Sequence, residues 1–153
     1  MTHYQQGNHL IREAVKNYFK IFILFLEYKI MFHFVGNRAV NFETYWSPIM
    51  QNKPDNCIIW DERNDVDTFI QACDVHFFCS IMELNPLSIK ESLGFMKPTM
   101  IFDLHTYMNK YDGFENIIYL TGDKQKDANQ LLQILGLSPL KVNKLNIKVV
   151  HLL

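Results

Sequence analysis

Two glutamates, Glu83 and Glu91, lie on either side of an Asn-Pro pair, Asn85-Pro86. Proline is favoured in the first turn of a helix, so this spacing predicts one carboxylate just before a helix N-terminus and the second about two turns into the helix. The free backbone amides and the dipole of such a terminus attract anions, and a diphosphate is the natural candidate. The two carboxylates would then accept hydrogen bonds from hydroxyl groups.

The same two glutamates also have a purely structural interpretation. Glu91 lies on the helix face opposite Ile89, Leu93 and Met96, which are predicted to face the core, and a charged residue there is commonly just solvated. Glu83, close to the helix N-terminus, can serve only to offset the dipole. Two carboxylates in one loop therefore do not by themselves decide between a binding site and a solvated surface.

The elements that would position these residues are short apolar runs that alternate with amphipathic segments. Runs that are apolar throughout are typical of strands buried on both faces, and apolar residues at helical spacing predict helices between them. The predicted strands are Met31–Val35, Cys57–Trp60, Val75–Cys79, Thr99–Phe102 and Ile117–Leu120. The predicted helices run from about Asn8 into the high twenties, from Asn64 or Asp65 to Cys73, from Asn85-Pro86 to a point before Lys97-Pro98, and across Ala128–Leu135 to a C-cap at Gly136.

This alternation predicts an α/β fold, a doubly wound, Rossmann-like parallel sheet covered on both faces. Ligands of such sheets bind at the carboxyl ends of the strands, so the loops after the strands are the places to search. We expect one domain over residues 1–137 and leave the tail, residues 138–153, without a predicted structure.

Composition limits the classes of function. The chain has 153 residues, of which 48% are hydrophobic and 20% charged, and its formal net charge is -1. These values are typical of one globular domain and lack the basic field of a nucleic-acid-binding protein. The three cysteines, Cys57, Cys73 and Cys79, show no metal-ligand spacing and are expected to be reduced, buried thiols. No signal-like N-terminus or membrane-spanning run is visible, so a cytoplasmic location is expected.

Several motifs, taken in order, resemble the retaining glycosyltransferases with the GT-B fold. A strand that ends in Ser80 is followed by Glu83 and Glu91 at E-x7-E spacing, and Lys97-Pro98-Thr99 leads into the next strand. Phe32–Asn37 resembles the strand and glycine turn of that family, and Gly7-Asn8 resembles its entry into the preceding helix. The similarity covers about residues 5 to 135.

The resemblance implies the C-terminal, nucleotide-sugar-binding half of a two-domain enzyme that transfers a sugar with retention. Glu91 would bind the ribose, and Glu83 would bind the donor sugar as the catalytic residue. The segment Asn85-Pro86-Leu87 would bind sugar and diphosphate, and Gly36 would form the turn. Trp60–Arg63, with Arg63 as an extra contact, would hold the base. No metal and no cofactor besides the nucleotide-diphosphate sugar is implied, and the acceptor would be a glycan, a lipid or another small molecule.

The sequence also departs from the family pattern. Gln6 stands where a lysine would meet the diphosphate, and the N-terminal acceptor domain and the first, central strand of the donor domain have no counterpart. Residues 1–6 or the tail fill that central position, or the sheet has a gap. The alternative function is therefore a Rossmann-like nucleotide-binding module without transferase activity of its own. A peripheral membrane location is compatible with either function.

Three further residues, two histidines and a tyrosine, are candidates. His76 lies in a strand of the buried type and is expected to be packed in the core. His105, after the next strand, could face an acceptor. Tyr107 is expected to have a structural role.

Overall fold

The computed structural model describes residues 30–36, 47–48, 51–78, 80, 85–107, 109–137 and 147–152. The helix predicted from Asn8, the Gly7-Asn8 motif, Gln6, Cys79 and Glu83 lie outside these residues. The strands are β1 (Ile30–Val35), β2 (Cys57–Trp60), β3 (Val75–Phe78), β4 (Thr99–Phe102), β5 (Ile117–Leu120) and β6 (Ile147–Leu152). The helices are α1 (Val66–Ala72), α2 (Leu87–Gly94) and α3 (Lys124–Ile134), and a short 3₁₀ helix covers His105–Tyr107.

The strands form one six-stranded sheet in the order β2-β1-β6-β3-β4-β5. Every pair of neighbours is parallel. An α/β fold with a parallel sheet was predicted, and the predicted bounds of β2, β4 and β5 are confirmed. Continuous apolar runs identify these strands because both faces of a parallel sheet are covered.

The centre of the sheet is filled by the tail. Strand β6 lies between β1 and β3, with Ile30–Val35 in register with Ile147–Leu152 and Val75 in register with Val149. The sequence left open whether residues 1–6, the tail or a gap occupies the central position. In the structure the tail occupies it. On one side of β6 the sheet continues with β1 and then β2. On the other side it continues with β3, β4 and β5, again in chain order. The reversal of strand order at β6 is the topological switch point of the sheet.

Helices cover the two faces of the sheet. On one face α1 packs on Val35 through Ile70 and Cys73, and α2 packs on Phe78 and Ile101 through Ile89. On the other face α3 contributes Ala128, Leu131 and Leu132 to a core that joins β1, β2, β3, β4 and β5. Burial of this apolar surface is the main stabilising term of the fold.

Hydrogen bonds at the amino edge fix the strand register. The buried Asn56 side chain donates to the carbonyl oxygen of Ile30 at 3.1 Å, which ties the start of β2 to β1. The Asn116 side chain donates to the carbonyl oxygen of Lys97 at 3.0 Å, which ties the start of β5 to the loop before β4. Such bonds are needed because a buried amide without a partner costs about 1–3 kcal/mol.

One core prediction on α2 is wrong. Met96 was expected in the apolar stripe with Ile89 and Leu93, but it is 82% exposed. The helix ends at Gly94, and Met96 lies beyond it with φ 53°. The helical period therefore no longer applies at this position, and the side chain turns to solvent.

Candidate functional site

A cavity of about 250 Å³ lies on the face of the sheet that carries α1, beside the end of β2. Its volume is below the range of about 300–1,000 Å³ that is usual for whole drug-sized ligands, so it has room for a ring rather than for a complete nucleotide. It is lined by His33, Trp60, Arg63, Asp65, Thr68, Phe69 and Ala72. The sequence predicted two of these residues, Trp60 and Arg63, as ligand contacts.

Trp60 is held in place by its neighbour on β1. Its indole Nε1–H donates to Nδ1 of His33 at 3.0 Å, and the planes of the two rings are nearly parallel, with an angle of 12° between them. A ring nitrogen that accepts a hydrogen bond carries no proton, so the neutral form of His33 is the one that can make this bond. The bond orients the Trp60 ring as one wall of the cavity.

Arg63 places a cation over two aromatic rings. Its guanidinium carbon lies 5.8 Å from the ring centroid of Trp60 and 5.7 Å from that of Phe69. Both distances are within the range of cation–π attraction. The rings of Trp60 and Phe69 meet edge to face, with centroids 5.2 Å apart. Together these groups form a box of flat faces that suits an aromatic heterocycle.

Asp65 neutralises this cation. Arg63 donates from Nε to Oδ1 of Asp65 at 2.8 Å and from Nη2 to Oδ2 at 2.9 Å. The hydrogen bonds from Arg63 lower the pKa of the Asp65 carboxyl, which therefore stays ionised at neutral pH. Because the pair is neutral as a whole, the cavity is better suited to a neutral polar ring than to a phosphate.

The loop after β2 is positioned by the packing of α1. Val66, Ile70 and Cys73 recur at helical spacing and pack with Val35 and Trp60. This buried stripe fixes the rotation of the helix, so Thr68 and Phe69 are directed toward the cavity. The Cys73 thiol, buried at the end of the stripe, donates to the carbonyl oxygen of Ile70 at 3.1 Å.

The second part of the site is the N-terminus of α2, at the carboxyl edge of the sheet. Asn85 is exposed, Pro86 is buried at the N-cap, and Leu87 is 66% exposed. Pro86 therefore lies one residue earlier than the first helical position predicted for it. A proline side chain cannot accept a capping hydrogen bond, and the first-turn amides of α2 have none from Pro86.

Glu91 is on the exposed side of α2, whereas Ile89 and Ser92 are fully buried. Ser92 shares a hydrogen bond of 2.8 Å with the hydroxyl of Thr99, which in turn donates to the carbonyl oxygen of Lys97. This hydroxyl chain connects α2 to the start of β4 and fixes which face of the helix is turned outward. The Glu91 carboxylate is thereby accessible to a ligand.

The predicted residues fall into two groups. Trp60 and Arg63 line the cavity, and Gly36 follows Val35, which is in register with Trp60. The second group belongs to α2 or to the residues just before it, and consists of Asn85, Pro86, Leu87 and Glu91. Helices α1 and α2 contact each other on the same face of the sheet, so both groups lie on that side. Gly36 has φ 151°, a conformation that favours glycine.

Sequence reasoning missed His33 and Phe69 as parts of the site. The alternation of β1 places His33 on the same face as Val35, and the helical spacing of α1 places Phe69 next to Ile70. These patterns give the face of each residue, but not its contact with Trp60. Of the other candidates, His76 and Tyr107 are fully buried, as expected, and His105 is exposed.

The part of the chain that the structure describes contains no group of three or more His, Cys, Asp or Glu side chains that could hold a metal ion. Within the same ranges, none of the helices has the length and apolar character needed to cross a membrane.

We compared the chain with protein-family models, with curated proteins and with solved structures. None of the three comparisons gives a match.

Proposed function

We propose that this chain is the nucleotide-sugar-binding domain of a retaining glycosyltransferase with the GT-B fold. The observation that carries the proposal is the cavity formed by Trp60, Arg63, Phe69 and His33, directly after the end of β2. Its aromatic faces and guanidinium edge match the shape and polarity of a nucleobase. The loop that provides Trp60 and Arg63 is the one that the E-x7-E resemblance implies for the base.

The rest of the donor is assigned to α2. The exposed Glu91 carboxylate accepts hydrogen bonds from the two ribose hydroxyls, and the first-turn amides at Leu87 and Ser88 face the diphosphate. Glu83, which the resemblance gives as the catalytic residue, binds the hydroxyls of the donor sugar. The base thus lies against α1 and the phosphates against α2, two helices on the same face of the sheet.

Transfer itself requires an acceptor, a glycan, a lipid or another small molecule. In a GT-B enzyme the acceptor is bound by a second domain that faces this one. We therefore expect the chain alone to bind the donor without transferring its sugar.

A nucleotide-binding module without transferase activity is the second candidate. One observation favours it: the described cation nearest the cavity, Arg63, is paired with Asp65 instead of being available to a phosphate. Such a module would bind a nucleoside diphosphate and its sugar conjugate equally, because it would make no contacts to the sugar. The affinities for the nucleoside diphosphate and for its sugar conjugate therefore distinguish such a module from a glycosyltransferase domain.

Calorimetric titration tests the proposal. The chain is titrated with UDP, GDP and ADP and with their hexose conjugates, and we expect one base to be preferred and its conjugate to bind more tightly than its diphosphate. Glu91→Gln should raise the dissociation constants of the preferred diphosphate and of its conjugate about tenfold, because it removes a charged acceptor. Glu115→Gln, an exposed change in the loop before β5, is the matched control and should leave both affinities unchanged. Absence of binding by all six ligands would refute the proposal.

A further inference from the structure

The sheet consists of two halves that are connected by one strand. Strands β1 and β2 pair with each other, and β3, β4 and β5 form a second paired set. Among the described strands, β6 is the one that pairs with both sets, along all of β1 and along Val75 and His76 of β3. Without β6, the hydrogen-bonded sheet would divide between β1 and β3.

The directions of the backbone N–H groups show which amides face β6. The Phe32 N–H donates to Asn56 O on the β2 side, and the His76 N–H donates to Pro98 O on the β4 side. Backbone N–H groups along a strand point alternately to its two neighbours. The amides of His33 and Val75, each next to one of these residues in the chain, therefore point toward β6.

Strand β6 comes last in the chain among the described elements. Helix α3 ends at Ile134, and Gly136 follows with φ 65°, which closes the preceding β5–α3 unit. The core on the α3 face contains residues of both halves, including Phe32 of β1 and Phe77 of β3. This shared core can hold the halves together when β6 is not paired.

The same strand lies between the two parts of the candidate site. Trp60 belongs to the β1–β2 half, whereas Glu91 lies on the helix that joins β3 to β4. Leu152, at the end of β6, is in register with Val35, the residue before Gly36. The pairing of β6 thus sets the position of one half along the other, at the edge where both parts of the site lie.

We propose that β6 is a separable latch strand: it joins two half-sheets that stay folded when it is unpaired, and its pairing aligns the two parts of the nucleotide site. The effect on the site rests on the proposed function, whereas the separability of the strand does not.

Amide hydrogen exchange measured by NMR on the full chain tests the latch. Val149 is in register with Phe32 and Val75, so Val149→Pro removes a backbone donor from the middle of β6. Val149→Thr retains the donor and the β-branched shape and is the matched control. In Val149→Pro we expect the amides of His33 and Val75 to exchange about tenfold faster or more, while those of Phe32 and His76 remain protected as in the control.

Two results would overturn the proposal. Unchanged protection of His33 and Val75 in Val149→Pro would show that β6 does not pair at the centre of the sheet. Loss of protection at Phe32 and His76 as well would show that the halves do not persist without it. Nucleotide affinity is measured in parallel and should fall about tenfold in Val149→Pro alone. If the unsubstituted chain binds no nucleotide, the proposed function fails, whereas the exchange data still decide whether the strand is separable.

Discussion

Trp60 on β2 donates a hydrogen bond of 3.0 Å to His33 on the neighbouring strand β1, and the planes of the two rings are nearly parallel. The pair connects two strands of the sheet on the face where α1 packs. It also holds the Trp60 ring in the orientation that shapes the cavity. The stability of this edge of the sheet and the shape of the cavity therefore depend on the same bond.

The first prediction concerns this bond. Trp60→Phe keeps an aromatic ring but removes the donor, and it should lower the free energy of unfolding by about 1 kcal/mol. His33→Leu should cost a similar amount, and the double variant should cost less than the sum by about 0.5–1.5 kcal/mol, because both single changes break one bond. Urea unfolding of the four proteins measures this coupling.

A pair without a shared bond provides the control for this cycle. Asp67 is exposed in the first turn of α1, and Asp67→Asn combined with Trp60→Phe should be additive. If the two cycles gave the same coupling energy, the His33–Trp60 bond would not contribute to the free energy of unfolding.

The second prediction concerns the stability of the fold at alkaline pH. Burial raises the pKa of the Cys57 thiol to about 12 and that of the Cys73 thiol to about 11, from a reference of 9.0. Above pH 9 the unfolded chain therefore releases protons that the folded chain retains, and stability falls as pH rises. At pH 10 we expect each thiol to lower the free energy of unfolding by about 1.4 kcal/mol relative to neutral pH.

Urea unfolding at pH 7.5 and pH 10 checks this, with Cys57→Ala/Cys73→Ala as the comparison. The double variant should be less stable at pH 7.5, because it removes buried atoms, but it should lose less of its stability between the two pH values. The same pH dependence in both proteins would contradict the assignment of the effect to these thiols.

The third prediction concerns the turn after β5. The buried Asp127 carboxylate accepts from the backbone N–H and the hydroxyl of Thr121, each at 2.7 Å, and from the backbone N–H of Gly122 at 3.1 Å. Asp127→Asn replaces one acceptor by a donor that faces these donors, and it should destabilise the fold by about 2–3 kcal/mol. The exposed change Asp67→Asn is the control in thermal unfolding. If Asp127→Asn lost no more stability than Asp67→Asn, the turn would not need the Asp127 carboxylate.

The strands show how far sequence reasoning extends in this protein. Strands β2, β4 and β5 were predicted with correct bounds because a buried parallel strand is apolar at every position. Strand β6 has no predicted counterpart, although its sequence is also apolar in part. Its place between β1 and β3 depends on pairing with β1 residues 117 positions away and with β3 residues 74 positions away, and no local pattern encodes such a register.

The candidate site shows the same division between local and long-range information. The sequence predicted Glu91 on the outer face of α2 and the start of α2 to within one residue, because proline and helical spacing act locally. The partners of Trp60, namely His33 and Phe69, come from two other elements and become neighbours only when the sheet and α1 assemble. The prediction for Met96 was wrong for a local reason, since α2 ends at Gly94, two residues before the end that its apolar pattern suggested.

The most direct measurement of the central claim is an NMR titration of the ¹⁵N-labelled chain with its preferred sugar nucleotide. We expect the signals of the Trp60 indole N–H, the Arg63 Nε–H and the backbone amides of Leu87 and Ser88 to shift with one shared saturation curve, because base and diphosphate belong to one ligand. The amides of Gly113 and Glu115, at the amino edge of the sheet, should not move. Shifts confined to that edge, or no shift of the Trp60 indole at saturation, would contradict the account.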